Sequence, residues 1–335
     1  MLTRADEKDL IEDIKDGIGI ALDIRGASAT SIDSIKLNKL VYLATNELNI
    51  PLTFGWYKYG PAPVDLQYSK TAVTIKSKDE CDAAFNSRLP DKDYYSPAEY
   101  AYFFDEELDA FTDILQVSTK EFLVSFYERE APEPYRELYV KSAQLQQVLD
   151  EIRGDAAWHD DSDVYYREIS RRIGGLTREL MNIEPLREVQ TPFRQYVRFL
   201  KELLANTSTH DSLSATQQRF VERIVDYYYG GAWKYVALKI SENTVHLSPG
   251  DNERKLLTSI ENLQQEMRTD YEDDLNGFAK RAVSLDLFEK ESADSPLAGS
   301  KDHTEKPQSS DSSDRVRAEL WTHAVAEVLS NEVTE

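Results

Sequence analysis

One cysteine, Cys81, occurs in 335 residues, which excludes an intramolecular disulfide and any cysteine-rich metal site. Histidine is nearly as scarce. His159, His210, His246, His303 and His323 are scattered, with neither a His-Glu-x-x-His helix nor paired cysteines to complete a zinc site. No Gly-x-Ser-x-Gly elbow is present, and no histidine lies near Cys81, so nucleophilic catalysis has no support. Gly174-Gly175 and Gly230-Gly231 are followed by neither Lys-Ser nor Lys-Thr and belong to no Gly-x-Gly-x-x-Gly run, which removes the phosphate-cradling loops. Long apolar runs are also missing: none approaches the roughly 20 residues that span a bilayer, and no N-terminal segment joins basic residues to an apolar stretch. These absences predict a cytoplasmic protein without a membrane segment, metal, cofactor or enzymatic activity.

Positive charge is in deficit. Sixty-one acidic side chains face 39 basic ones, a formal charge of −22 spread along the whole chain. At low salt such a fold repels itself, and dissolved counterions must screen it. The composition is that of a halophilic, haloarchaeal protein working in a salty cytosol. It also argues against a duplex-binding surface, because phosphate neutralisation needs clustered Lys and Arg. Molar salt shrinks that counterion term, so net charge alone does not exclude nucleic acid. Hydrophobic residues at 41% and aromatics at 10% are enough to build a core.

Apolar residues at Leu10, Ile11, Ile14, Ile18, Ala21 and Leu22 fall on one helical stripe, and Leu37, Leu40, Val41, Ala44 and Leu48 repeat the spacing. Asn49 and Pro51 close this second helix. Between Pro51 and Pro61 the pattern becomes extended and aromatic around Gly55 and Gly60, as in a strand or hairpin arm ending in a Gly-Pro turn. A short helix is expected over 64–75, then an exposed loop or irregular hairpin over 76–94. Helical periodicity resumes at 104–115, 119–127 and 135–152. Beyond it, a helix interrupted at Gly174-Gly175 precedes helices at about 193–204, 215–229, 232–240 and 252–287, with a break expected near Asp270. The fold class is mainly α: a helical N-terminal domain with a small β element (1–155) and an all-helical domain (160–290). Residues 291–314 hold seven serines and no aromatic, and read as a disordered linker. Within 315–331, Val316, Leu320, Ala324, Val325 and Val328 make an amphipathic stripe beside Trp321, marginal as an isolated helix and therefore expected to dock on something.

Three clusters invite a chemical reading and a plainer one. His159, Asp160, Asp161 and Asp163 supply hard-cation donors, but the EF-hand glycine and terminal glutamate are missing, and Ser162 or Asp163 as a helix N-cap explains them better. Tyr227, Tyr228, Tyr229, Trp233 and Tyr235 offer rings for stacking bases, yet on two helices joined by Gly-Gly they read as core. Arg167, Arg171, Arg172 and Arg178 are the densest basic patch. Glu168 and Glu179 on the same helix make a salt-bridged face the default.

A more specific pattern is Lys36-Leu37-Asn38-Lys39-Leu40-Val41-Tyr42-Leu43-Ala44 followed by Trp56-Tyr57-Lys58-Tyr59-Gly60-Pro61. It resembles the Panacea, or SocA-like, antitoxin domain over about the first third of the chain: a Lys-Leu-x-Lys-Leu-x-Tyr-x-Ala helix, then an aromatic strand ending in Tyr-Gly-Pro. The resemblance implies a non-catalytic regulator that binds a protein partner, such as a toxin encoded by a neighbouring gene, or that delivers it to a protease as an adaptor. Lys36 and Lys39 are expected to face solvent or the partner, Gly60-Pro61 to aim Tyr57 and Tyr59, and Lys58 and Trp321 to complete the contact set. The alternative is a nucleic-acid-associated regulator or defence component using Arg167, Arg171, Arg172 and Arg178.

Overall fold

The structure is a computed structural model that describes residues 4–63, 73–75, 77–81, 83, 95–154 and 158–288. The chain divides into two units, Met1–Ala293 and Asp294–Glu335, and every described residue lies in the first. The linker and helix expected over 291–331, with Trp321, lie outside the described residues, as do 64–72, 76, 82 and 84–94, while 78–81, within the loop or hairpin expected over 76–94, are helical. Residues 73–75, at the end of the helix expected over 64–75, are not helical.

Capping chemistry sets several helix starts. After α1 (Arg4–Ile24), Asp33 caps α2 (Ser34–Glu47) by accepting the Lys36 N–H at 2.8 Å. Asn49, at φ +52°, ends that helix as a left-handed residue, and the Ile50 N–H returns to the Thr45 carbonyl at 2.9 Å. A hairpin of β1 (Phe54–Tyr57) and β2 (Gly60–Pro63) follows, paired antiparallel with Trp56 opposite Pro61 and Tyr57 opposite Gly60. Reciprocal serine–glutamate boxes start α3 (Pro97–Tyr102) at Ser96/Glu99 and α5 (Thr119–Glu130) at Ser118/Glu121, with α4 (Phe111–Gln116) between them. Then come α6 (Arg136–Gly154), α7 (Ser162–Asn182), α8 (Arg187–Thr207), α9 (Ala215–Tyr227), α10 (Trp233–Thr244) and α11 (Glu253–Ser284). The molecule is thus mainly α with one two-stranded sheet among the described residues. No described helix is long and apolar enough to cross a membrane.

One hydrophobic core runs from Leu10 to Phe288. It does not divide at residues 155–160, where the sequence suggests a boundary. There α6 and α7 pack on each other, and β1 packs directly on α10, from the far half of the chain. A buried polar clasp reinforces this. Glu7 of α1 accepts from the Thr53 hydroxyl at 2.7 Å and the Asn252 side-chain amide at 2.9 Å, while the Asn252 N–H donates to Thr53 Oγ1 at 3.0 Å. Every distance is short and the groups are buried, so each bond is protected from water exchange.

Five local expectations change. α7 runs unbroken through Gly174-Gly175, because Ile169, Ile173, Leu176 and Leu180 bury one face while nothing packs where a Gly174 or Gly175 side chain would sit. Packing of that stripe outweighs a propensity cost of about 1 kcal/mol per glycine. Gly230-Gly231 does not break the helix either; a π-helical turn, Tyr228–Ala232, leads α9 directly into α10. α11 passes Asp270 intact, since Met267, Tyr271 and Leu275 keep the buried stripe in register while Asp270 itself faces solvent. Cys81 is fully buried beside Ile20 and Ala101 rather than lying in a polar surface stretch. At the start of α7, Asp161 holds the N-cap position without a side-chain bond, not Ser162 or Asp163.

Gly60 carries φ +83°, and a Cβ there would lie 2.8 Å from Tyr127 Cε1. Gly60→Ala should therefore destabilise the fold by about 1–3 kcal/mol, combining left-handed strain with a clash against a buried ring. Gly174→Ala, on an open helix face, should instead stabilise by about 0.4–1 kcal/mol. Denaturant unfolding of the two variants beside the wild type checks both signs.

Candidate functional site

The helix of the Lys-Leu-x-Lys-Leu pattern is α2, and both of its lysines point inward. Lys36 is 5% exposed and Lys39 is 1% exposed, against the expectation that they meet solvent or a partner. The physical reason is that each ammonium finds backbone carbonyls the fold must satisfy. Lys36 Nζ donates to Ser31 O at 3.2 Å and Val117 O at 2.8 Å. Lys39 Nζ donates to Pro61 O at 2.9 Å and lies 5.7 Å from the Phe126 ring centre. Burial pushes the Lys39 amine down to about 7, against the opposing pull of Asp33, and displaces Lys36 in the same direction.

The hairpin those lysines serve is fixed from three sides. Tyr139 Oη on α6 donates to Tyr57 O at 2.8 Å, Trp233 Nε1 on α10 donates to Lys58 O at 2.8 Å, and Lys39 on α2 holds Pro61 O. Around these bonds the rings interlock: Trp56 meets Tyr139 at 5.4 Å, Tyr139 meets Trp233 edge-on at 5.4 Å, and Tyr59 stacks on Tyr229 at 5.0 Å. Tyr228, Tyr229 and Trp233 are buried, so the aromatic group over 227–235 belongs chiefly to the core, with Tyr228 Oη and Ser142 Oγ hydrogen-bonded at 2.9 Å.

Of the contact set expected from the sequence, Lys36, Lys39, Gly60 and Pro61 are interior, and Tyr57, Lys58 and Tyr59 at the hairpin tip are half-buried and reach the surface. The Lys58 ammonium faces the rings of Tyr57 and Tyr59 at 5.8 and 5.7 Å. Burial and the nearby charge of Lys234 bring it down to about 8. Lys234, in the first turn of α10, is also lowered by burial, with Glu266 and Asp270 pulling the other way.

The second set lies on α7. Arg167, Arg171 and Arg178 are exposed on one face, while Arg172 is half-buried and donates to Gln144 O at 3.2 Å. Glu168 accepts from both Arg171 and Arg172, and those bonds hold its carboxyl down to about 2. Beside them an open groove of about 490 Å³ is lined by Glu121, Val124, Gln144, Gln147, Arg171 and Arg172. The cation cluster considered near His159 does not assemble: His159 Nε2 hydrogen-bonds His210 O at 3.0 Å, and among the described residues no three His, Cys, Asp or Glu side chains converge as metal ligands.

Sequence reasoning missed Tyr139, Tyr229, Trp233 and Lys234 as companions of the hairpin. Nothing local marks them: Tyr139 is 82 residues from Tyr57 and Trp233 is 175 from Lys58. The chain belongs to the family described as Domain of unknown function (DUF8098), whose model matches residues 1–87 and 62–306. No curated protein and no solved structure matches it.

A lysine amine lowered on folding carries a proton in the unfolded chain that the native state has lost, so stability rises with pH across that interval. Lys39 makes the window about pH 7 to 10.5, and buried tyrosines displaced upward, such as Tyr228, oppose the trend above about pH 10. The denaturant midpoint should therefore climb between pH 7 and 9.5, and Lys39→Met should reduce the slope. A slope unchanged by that substitution would show that Lys39 is protonated in the fold.

Proposed function

We propose that this member of the DUF8098 family is a non-catalytic regulatory module that binds a protein partner, antitoxin- or adaptor-like as the Panacea or SocA-like resemblance implies, in a salt-rich cytoplasm. One observation carries the reading: the motif divides its labour. Lys36, Lys39, Gly60 and Pro61 are spent on holding the hairpin, while Tyr57, Lys58 and Tyr59 emerge at its tip. The tip is clamped through its own backbone, so its side chains reach the surface on a rigid support, and pre-organisation of that kind lowers the ordering cost of association. Two tyrosines and a lysine on such a platform suit a protein surface, since rigid rings contribute contact area with few rotors to freeze. A toxin encoded by a neighbouring gene is the partner the resemblance implies.

A second reading rests on α7. Arg167, Arg171 and Arg178 recur on one exposed face with Gly174 between them, a linear spacing that fits a polyanion, although Glu168 already engages Arg171. Affinity for duplex DNA that falls steeply with salt, and that is lost in the triple alanine variant of these arginines, would move the assignment to a nucleic-acid-associated regulator.

The partner reading is tested by capturing proteins on the full-length chain from a high-potassium lysate, then measuring the purified candidate by calorimetry. One stoichiometric protein partner is expected, with binding weakened at least tenfold by Lys58→Glu while the variant remains folded. If no captured protein binds the wild-type chain in isolation, the proposal fails.

A further inference from the structure

Two half-buried lysines of this fold are answered by carboxylates, Lys141 by Glu137 and Glu179 and Lys239 by Glu188 and Glu242, while the more deeply buried Lys36 and Lys39 take backbone carbonyls. Lys58 departs from this. Among the described residues its ammonium has no ion pair and no hydrogen-bond acceptor, only the two tyrosine faces, although the chain holds 22 more acidic than basic side chains. A cation taken partly out of water without a counter-charge costs free energy, and Lys234 beside it adds to the cost. The backbone under it is held by Trp233, Tyr139 and Lys39, so the tip that presents Lys58 is not a loose loop.

We propose that Lys58, backed by Lys234 and flanked by the rings of Tyr57 and Tyr59, receives a single carboxylate of the protein partner, from an Asp or Glu side chain or a chain terminus. The proposal rests on the partner-binding reading and supplies its chemistry. A carboxylate completes the charge pairing that the fold leaves open, and the flanking rings exclude water from the pair, which strengthens it. A single carboxylate fits better than a nucleic-acid backbone. A phosphate chain would extend beyond the tip over a molecule of net charge −22, whereas one carboxylate stays at the tip beside Lys58.

The test uses the full chain with 13C-labelled lysine, following the Lys58 and Lys234 side-chain signals by NMR, assigned through Lys58→Arg and Lys234→Arg. Three probes are titrated: a terminally blocked Gly-Glu-Gly peptide, its Gly-Gln-Gly counterpart, and inorganic phosphate. Saturable shifts of both lysines with the glutamate peptide, at least tenfold weaker with the glutamine peptide, support the proposal. So does their loss in Lys58→Met with retention within about threefold in Lys58→Arg, which also serves if the methionine variant does not fold. Equal responses to the two peptides, a response to phosphate alone, no saturable response, or unchanged binding in folded Lys58→Met overturns it. A captured partner without a carboxylate response sinks this inference and leaves the partner-binding reading standing. A carboxylate response without any captured partner does the reverse.

Discussion

A hydrogen bond from the buried amine of Lys39 to the carbonyl of Pro61 decides where the hairpin sits, and the hairpin decides how the two halves of the chain meet. Proline has no N–H, so Pro61 gives the pairing of β1 with β2 no donor. Side chains supply what the backbone lacks: lysine from α2, tyrosine from α6 and an indole from α10 each donate to a carbonyl of the turn. Once those donors are in place, Trp56, Phe126, Tyr127, Tyr139 and Trp233 close around them. The core then has no seam along which two domains could part.

Much of the helical framework was legible in sequence, because it rests on local rules. The stripe from Leu10 to Leu22 and the Asn49 termination of α2 appear where spacing and turn chemistry put them, whereas the hairpin turns at Lys58-Tyr59 and Gly60-Pro61 opens β2. The misreadings share a physical cause. Charge was assumed to face water, yet Lys36 and Lys39 lie inside because a long apolar stem with one polar tip can cross a core to reach a carbonyl. Glycine pairs favour a break by propensity, yet the neighbouring apolar stripes carry α7 straight through, and a wide π-helical turn absorbs Gly230-Gly231. Both are cases of tertiary packing overriding local preference.

The candidate site was half legible for a related reason. Tyr57, Lys58 and Tyr59 announce themselves as an aromatic, charged tip before a Gly-Pro turn. Lys234, Tyr229 and Trp233, which surround that tip, carry no mark that ties them to it across so long a separation. The missing counter-charge at Lys58 is a property of space rather than of order along the chain.

The separation of 175 residues between Trp233 and the carbonyl it caps also bears on how the protein is made. At a synthesis rate of about 5–20 residues per second, the hairpin leaves the ribosome roughly ten to thirty seconds before the indole that completes it. Through that interval the tip carbonyl and the aromatic face of β1 are unmatched, as is the Glu7–Thr53 pair awaiting Asn252. The nascent N-terminal portion thus carries buried-type polar and aromatic groups exposed to water until the far half of the chain arrives to cover them.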